Sequence, residues 1–312
     1  MKNPETKRHH WWPECLSRYW AGADGGVTRL RPSGDTFRGK PEGFGLIGHG
    51  HSIKLGASGE TTPWDHNFEG EFQLADDSFP SLIQWLDSLE RPGPPFEVER
   101  KTKIQAQTVD NARLKMLIEC IVSLAVRSPM HRERVVALAE SLRGPLPERE
   151  RNVLIGANMQ RMQRSVVRSI SGRGKVLVLF SPEHEFVFGN GFFHNIYPPG
   201  EHLTSPKILV PITPWMSVLF CRPTSYRSDP ALVTTSVTIG EADALNEVIQ
   251  IYAKDEIFYR NEKPRIVEAY KQNAHLVFKN DRNSVEDWIH STPGISPRDT
   301  SLDFLQEMIE RQ

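Results

Sequence analysis

The sequence predicts an α+β protein, because helical and strand patterns occupy separate stretches of the 312 residues instead of alternating along them. Between about 65 and 172, apolar residues recur at three- and four-residue steps, which is typical of amphipathic helices joined by short connections. From about 173 to 260, short apolar or alternating runs are bounded by turn residues, which indicates strands. The expected architecture is a mixed N-terminal segment, a central helical bundle, and a small antiparallel or mixed sheet with a covering helix.

Each element follows from its local pattern. Helices are predicted at about 13–21, at 65–89 with a kink or a break at Pro80, and at 102–127, 130–143, 148–170 and 241–254. Strands are predicted at 27–31, 176–180, 185–188, 208–211, 216–220, 233–238 and 257–260. Weak helical patterns follow at 285–289 and 302–309. We therefore expect one domain over 1–260 and a polar C-terminal extension over 261–312.

The charges nearly cancel in total but are unevenly distributed. The formal net charge is −1, yet 60–99 holds ten acidic residues and one arginine, whereas 127–175 holds eleven basic residues, ten of them arginine, and four acidic ones. Arg161, Arg164 and Arg168 share one helix face by their spacing. Either the two stretches neutralise each other or carry solvated faces, or the arginine-rich face binds phosphate or nucleic acid.

Several classes of protein are disfavoured by the composition. No run of 18 apolar residues occurs, and the basic N-terminus has no apolar core behind it, so neither a membrane span nor a secretory signal is expected. The three cysteines, Cys15, Cys120 and Cys221, are too few and too far apart for a disulfide framework or a cysteine-rich zinc site. We expect a soluble cytoplasmic protein with no membrane contact.

Two short motifs lack the context that their usual chemistry requires. Residues 43–48 match G-x-G-x-x-G, but no strand precedes them and no helix follows, as a dinucleotide site would need. His49 and His51 have a spacing that suits one metal ion on a strand, but further ligands are not identifiable nearby. We read both motifs as parts of a glycine-rich loop and predict no cofactor and no metal.

The densest polar cluster is the sequence His9-His10-Trp11-Trp12 before Pro13. A histidine there could act as an acid or base, because its ordinary pKa near 6.5 suits proton transfer. The alternative is structural, with the two tryptophans filling the core and the histidines forming fixed hydrogen bonds. Both interpretations stay open at this point.

This opening resembles that of a widespread, mostly bacterial family designated domain of unknown function 4238, which typically starts with a His-His-x-x-Pro motif. Further short matches cover roughly 8–260 in the family's order. They include spaced acids on a helix, an Arg-x-Pro motif, a segment at which the family usually has Asp, and a helix carrying Leu-Asn; the matching residues are Glu69, Asp76, Arg127, Asn190 and Asn246. The resemblance implies no established reaction, but it singles out these polar residues together with His9 and His10.

Two hypotheses follow for function. In the first, His10, Glu69, Arg127 and Asn190 converge in a polar pocket at the seam between helices and sheet, and the protein binds or cleaves a phosphate-containing ligand or nucleic acid, with Arg127 holding the anion and His10 as acid or base. Asn190 would weaken such a site, since an amide cannot act as a base. In the second, Arg127 pairs with Glu69 or Asp76 as a structural lock, and the protein is a non-catalytic interaction module or a homo-oligomer.

Overall fold

The computed structural model describes residues 8–48, 50–53, 65–93, 100–172, 174–196, 206–222, 229–272 and 284–292, and it confirms the α+β class. In these residues the α-helices are α1 (Glu14–Ser17), α2 (Gly70–Asp87), α3 (Asn111–Arg127), α4 (Pro129–Arg143), α5 (Glu148–Ile170), α6 (Ile239–Tyr252), α7 (Glu268–Lys271) and α8 (Ser284–Ser291). The strands are β1 (Arg8–His10), β2 (Val27–Leu30), β3 (Thr36–Gly39), β4 (Leu46–Gly48), β5 (Ser52–Ile53), β6 (His66–Asn67), β7 (Gln105–Gln107), β8 (Lys175–Phe180), β9 (Phe188–Gly189), β10 (Lys207–Thr213), β11 (Met216–Cys221), β12 (Leu232–Ser236) and β13 (Ile257–Tyr259).

The largest sheet has five strands in the order β10-β11-β8-β12-β7. It is mixed, because β8 pairs with β11 in antiparallel and with β12 in parallel orientation. Val176 and Val178 pack into the core shared with the helices, whereas Leu177 and Leu179 pack into a second core with α6 and α8. Both faces are therefore covered, which explains why β8 is a continuous apolar run without alternation.

A second sheet joins strands of the N-terminal segment to strands that follow the helical part. Its four strands have the order β3-β2-β13-β9, so the N-terminal hairpin pairs with strands that follow the helical part. Two further strand pairs, β1-β4 and β5-β6, lie in the part of the chain that precedes α2. The sequence predicted β2 but missed β3 to β6, since such short strands carry little periodic signal.

The helical part forms a layer around α3, whose residues from Cys120 to Arg127 are all buried. This helix begins at Asn111, where the Asp110 side chain accepts a hydrogen bond from the Ala112 N–H at 3.1 Å. The predicted start at 102 was wrong, because β7 uses the preceding residues to extend the large sheet. Pro80 does not split α2: it lies on the exposed side of a helix that buries Phe79 and Leu82.

The C-terminal extension predicted from 261 is partly built into the core, so the described packing does not end at 260. The Tyr270 hydroxyl donates to the Leu30 carbonyl at 2.8 Å, and Trp288 is completely buried against the α6 side of the large sheet. The helical pattern at 302–309 lies outside the described residues. Measured against the thickness of a bilayer, every helix in the described part of the chain falls short in length or in apolar character.

Candidate functional site

Arg127 is buried in an ion pair between α3 and α2. Only 1% of this residue is exposed, and its two terminal nitrogens donate to the Asp76 carboxylate at 2.6 and 2.9 Å. Its Nε donates to the Ser123 carbonyl at 3.1 Å, and Nη1 also reaches the His10 carbonyl at 3.3 Å. All three guanidinium nitrogens are thus engaged inside the protein, which leaves Arg127 unsuited to holding an external anion.

His9 is completely buried on β1 between a backbone donor and a carboxylate. Its Nδ1 accepts the His51 N–H at 3.3 Å, and its Nε2 lies 3.7 Å from Glu69 Oε2. Because Nδ1 is an acceptor here, a neutral ring carries its proton on Nε2, which faces the carboxylate. Nδ1 is engaged by the hydrogen bond and Nε2 faces Glu69 at ion-pair distance, so His9 connects β1 to the residue that precedes α2.

His10 differs from its neighbour in being half-buried, with a buried Nδ1 that meets no hydrogen-bond partner in the described residues. Its backbone carbonyl is one of the acceptors of Arg127. Among the four residues of the hypothesised pocket, His10 and Arg127 therefore meet through main-chain oxygen, not through an imidazole beside a free guanidinium. The contact holds β1 against α3.

The tryptophans that follow fill the interior. Trp12 is completely buried, stacks on Phe188 with ring centroids 4.5 Å apart, and contacts Trp20 edge to face. Phe188 stacks in turn on Phe258 of β13. This aromatic column fastens the N-terminal motif to the four-stranded sheet, which agrees with the structural alternative for the motif.

Asn190 ties a loop together instead of facing the histidines. Its Oδ1 accepts backbone N–H groups of Lys254, Asp255 and Glu256 at 2.9 to 3.2 Å, and its amide nitrogen donates to the Asp255 side chain. Its own carbonyl accepts from the Met130 N–H at 3.1 Å. The acceptor of three N–H groups is an oxygen, which Asn and Asp both supply, so an amide meets this structural need.

Asn246 plays a similar part on α6. Its Oδ1 accepts the Val187 N–H at 3.0 Å and its Nδ2 donates to the Glu185 carbonyl at 2.9 Å. The Asn246 side chain thus makes the backbone hydrogen bonds to Glu185 and Val187 that a neighbouring strand would otherwise make. These bonds explain why a polar side chain is buried here. The polar residues that the resemblance singled out thus form two groups, one around Arg127 and one at the 185–190 segment.

The three arginines predicted to bind anions are all exposed on α5, but they differ in their partners. Arg164 donates to the Glu71 carboxylate of α2, with Nε 3.0 Å from Oε2. Arg161 and Arg168 form no ion pair with any described residue. The basic and acidic stretches therefore neutralise each other in part, while two cations of the face stay available.

Arg168 lies in a groove of about 620 Å³ between α2, α3 and α5. The groove combines an apolar surface with charges of both signs; its lining residues are Glu71, Leu74, Ala75, Lys115, Glu119, Gln163, Arg164, Val167, Arg168 and Ser171. Like Arg168, the exposed Lys115 has no ion pair in the described part of the chain. This volume lies in the range of small-molecule sites.

Two residues of the groove lining carry buried polar atoms that meet no partner among the described residues. Gln163 is 9% exposed, and its Nε2 donates to the Glu119 carbonyl at 3.3 Å, whereas its Oε1 and the Ser171 Oγ are buried and meet no partner among the described residues. Leu74, which also lines the groove, is 67% exposed. Neither Lys115 nor Gln163 stands out in the sequence, because only the packing of three helices brings them beside Arg168.

Buried histidines form a second feature that the sequence did not reveal. The rings of His131 on α4 and His194 have centroids 5.4 Å apart, and both residues are completely buried. Burial and the nearby Arg134 and Arg132 lower the pKa of His131 to about 3, and burial lowers that of His194 well below its ordinary value. Burial, with Arg127 and His9, lowers the pKa of His51 to about 2.

No group of three or more histidine, cysteine, aspartate or glutamate side chains in the described residues is arranged to hold a metal ion. The thiols give no sign of activation either, because burial raises the pKa of Cys15 to about 11 and that of Cys120 to about 12. Comparison of the chain with protein-family models, curated proteins and solved structures found no match.

Proposed function

We propose that this protein is a binding protein for a small phosphate-bearing ligand, and that the ligand occupies the groove between α2, α3 and α5. The observation that carries the proposal is the pair of exposed cations, Lys115 and Arg168, which line the groove without an ion pair in the described residues. Two such cations on different helices suit an anion that lies between them.

The charges around the pair support a small ligand over a nucleic-acid duplex. Glu71 compensates Arg164, and Glu119 lies one helical turn from Lys115, so the groove carries acidic groups among its cations and is not a continuous basic surface. A duplex presents a phosphate every few ångströms and requires an extended basic face. The proposal relocates ligand binding from the helix–sheet seam, where Arg127 and His9 are already engaged, to the helical layer.

Removing both cations is expected to weaken phosphate binding by about tenfold or more, since each charge-assisted hydrogen bond contributes about 1.5 to 3 kcal/mol. The variant is Lys115→Ala/Arg168→Ala, and isothermal titration with ribose 5-phosphate, against ribose as the uncharged reference, measures the effect. The control is Arg149→Ala/Arg161→Ala, which removes the same charge from exposed positions of α5 outside the groove. Equal binding by both variants, or no binding by the wild type, contradicts the proposal.

A second candidate, self-association, is favoured by the surface of α4. Leu138 and Leu142 are 72% and 78% exposed and lie one turn apart on that helix. Two neighbouring leucines in water indicate a contact surface more than single ones do. If α4 mediates a homo-oligomer, Leu138→Glu/Leu142→Glu will shift the mass measured by light scattering to that of a monomer; a wild type that is already monomeric at high concentration argues against this candidate.

A further inference from the structure

The outer edge of β3, the strand at one end of the four-stranded sheet, pairs with no strand in the described part of the chain, where β3 has β2 as its neighbour on the other side. We infer that this edge pairs with β3 of a second copy of this chain, in antiparallel orientation and with Phe37 at the two-fold axis. The two four-stranded sheets then form one continuous sheet across the dimer. The inference does not depend on the groove between α2, α3 and α5, and it places self-association on a surface other than α4.

The register of the β2-β3 hairpin decides which backbone groups face outwards. At the turn, the Arg31 N–H donates to the Asp35 carbonyl at 3.0 Å, and the hairpin continues in register from this pair. Hydrogen-bonded and non-hydrogen-bonded pairs alternate along an antiparallel ladder. Phe37 therefore directs its N–H and carbonyl to β2, whereas Thr36 and Arg38 direct theirs to the outer edge.

The exposure of β3 shows that this edge is accessible. Thr36, Phe37 and Arg38 are all exposed, and Phe37 exposes 56% of its surface. By contrast, the edge strand β10 of the large sheet is covered, since the Leu209 N–H donates to the Phe193 carbonyl at 2.9 Å. An edge strand with an exposed aromatic side chain and no proline lacks a common protection against pairing with another chain.

A two-fold arrangement matches the groups that β3 presents. With Phe37 opposite the partner's Phe37, Thr36 lies opposite the partner's Arg38, and each of these pairs exchanges two backbone hydrogen bonds. Phe37 itself then forms a non-hydrogen-bonded pair, in which the Cα atoms lie about 4.5 Å apart and the side chains are closest. The two exposed rings therefore meet across the axis, and aromatic pairs of this kind stabilise a sheet.

The charges around β3 favour an antiparallel second copy. Arg38 is compensated within its own copy, because its Nε donates to Asp24 at 2.7 Å and its Nη1 donates to Thr28 Oγ1 at 2.5 Å. The exposed Asp35 precedes the strand, and the exposed Lys40 follows it. An antiparallel partner brings Asp35 near the partner's Lys40 at both ends, whereas a parallel partner would bring like charges together.

Disulfide trapping tests the register of the paired strands. Phe37→Cys, in a Cys15→Ser background that leaves only the buried Cys120 and Cys221, places a thiol at the axis, where a Cα separation of about 4.5 Å permits a disulfide. We expect a covalent dimer under mild oxidation, seen by non-reducing electrophoresis. Thr36→Cys is the matched control: it is equally exposed, but its Cα lies roughly 9 Å from that of its counterpart, too far for a disulfide, so it should stay monomeric.

Two further variants test the association itself by sedimentation velocity between micromolar and millimolar concentration, where the wild type is expected to form dimers. Phe37→Glu brings two carboxylates together at the axis. Thr36→Pro removes an N–H of the outer edge and leaves the hydrogen bonds to β2 intact. Each should raise the dimer dissociation constant about tenfold or more. Ile239→Glu adds the same charge to a residue of α6 that is 48% exposed, and it should associate like the wild type.

Three outcomes overturn the inference. The first is a wild type that stays monomeric at millimolar concentration, and the second is equal cross-linking of Phe37→Cys and Thr36→Cys. The third is a dimer that persists in Phe37→Glu but is lost in Leu138→Glu/Leu142→Glu, since that result assigns self-association to α4. The trapping experiment changes only exposed side chains of β3 and replaces Cys15, so it decides the register even if Thr36→Pro does not fold.

Discussion

Asp76→Asn is expected to lower the free energy of unfolding by about 3 kcal/mol, because it leaves the guanidinium of Arg127 inside the protein without its counter-charge. Arg127 is 1% exposed, whereas the Asp76 side chain is 30% exposed, so the arginine bears the larger cost when the pair is broken. Arg127→Ala should lower it by about 3 to 5 kcal/mol, since it also removes packing against Phe72, whose ring centroid lies 4.9 Å from the guanidinium carbon. Urea unfolding followed by tryptophan fluorescence measures both effects.

A double variant separates the lost pair from the unpaired charge. Arg127→Met/Asp76→Leu replaces both partners by apolar side chains, and it should be less destabilised than the sum of its single variants. Arg161→Ala is the surface control, expected within about 0.5 kcal/mol of the wild type. If Asp76→Asn unfolds at the same urea concentration as the wild type, the ion pair between Arg127 and Asp76 does not stabilise the fold.

Acid is expected to destabilise the fold well above the pH at which carboxylates titrate. His51, His131 and His194 stay neutral in the fold because burial holds their pKa values far below 6.5, but in the unfolded chain they take up protons below that pH. The unfolded state thus binds more protons, so stability is complete above about pH 7 and falls as the pH drops below 6.5. Each such histidine contributes a slope of about 1.4 kcal/mol per pH unit.

The dependence of the unfolding free energy on pH can be assigned to a single histidine. His131→Phe keeps a ring of similar size at the buried position but does not titrate, so the loss of stability between pH 6.5 and 5 should be smaller than in the wild type by about 1.4 kcal/mol per unit. His290→Gln changes an exposed histidine and should leave the slope unaltered. Unfolding free energies measured in urea at several pH values test both, and a wild-type stability independent of pH across that window refutes the role of the buried histidines.

Local pattern was sufficient for most of the regular elements. The predicted helix 148–170 has the bounds of α5, and the predicted helix 130–143 differs from α4 by one residue, because Pro, Gly and polar cap residues mark those ends in the sequence itself. The buried strands β8 and β11 were recognisable as short apolar runs between turn signals. What local pattern missed was β3, β7 and the pairs β1-β4 and β5-β6, since strands of two to four residues are defined by their partners.

The candidate site, in contrast to the regular elements, could not be predicted from local pattern. His9, His10 and Arg127 stood out by residue type, but residue type does not distinguish a reactive polar group from one consumed by a buried hydrogen bond. That distinction depended on the Asp76 carboxylate and on the His51 N–H, which are 51 and 42 residues away in the chain. The same holds for Lys115 and Gln163, ordinary helix-surface residues until α2, α3 and α5 enclose them.

The sequence by itself thus determined the α+β class, the main helices and the separation of acidic from basic stretches, because periodicity and charge are properties of neighbouring residues. Only the tertiary structure decided that the acidic α2 and the basic α5 meet at Glu71 and Arg164, leaving Lys115 and Arg168 as cations in a groove. Which charges are paired and which are available is set by distances across the fold, and these depend on how the helices pack.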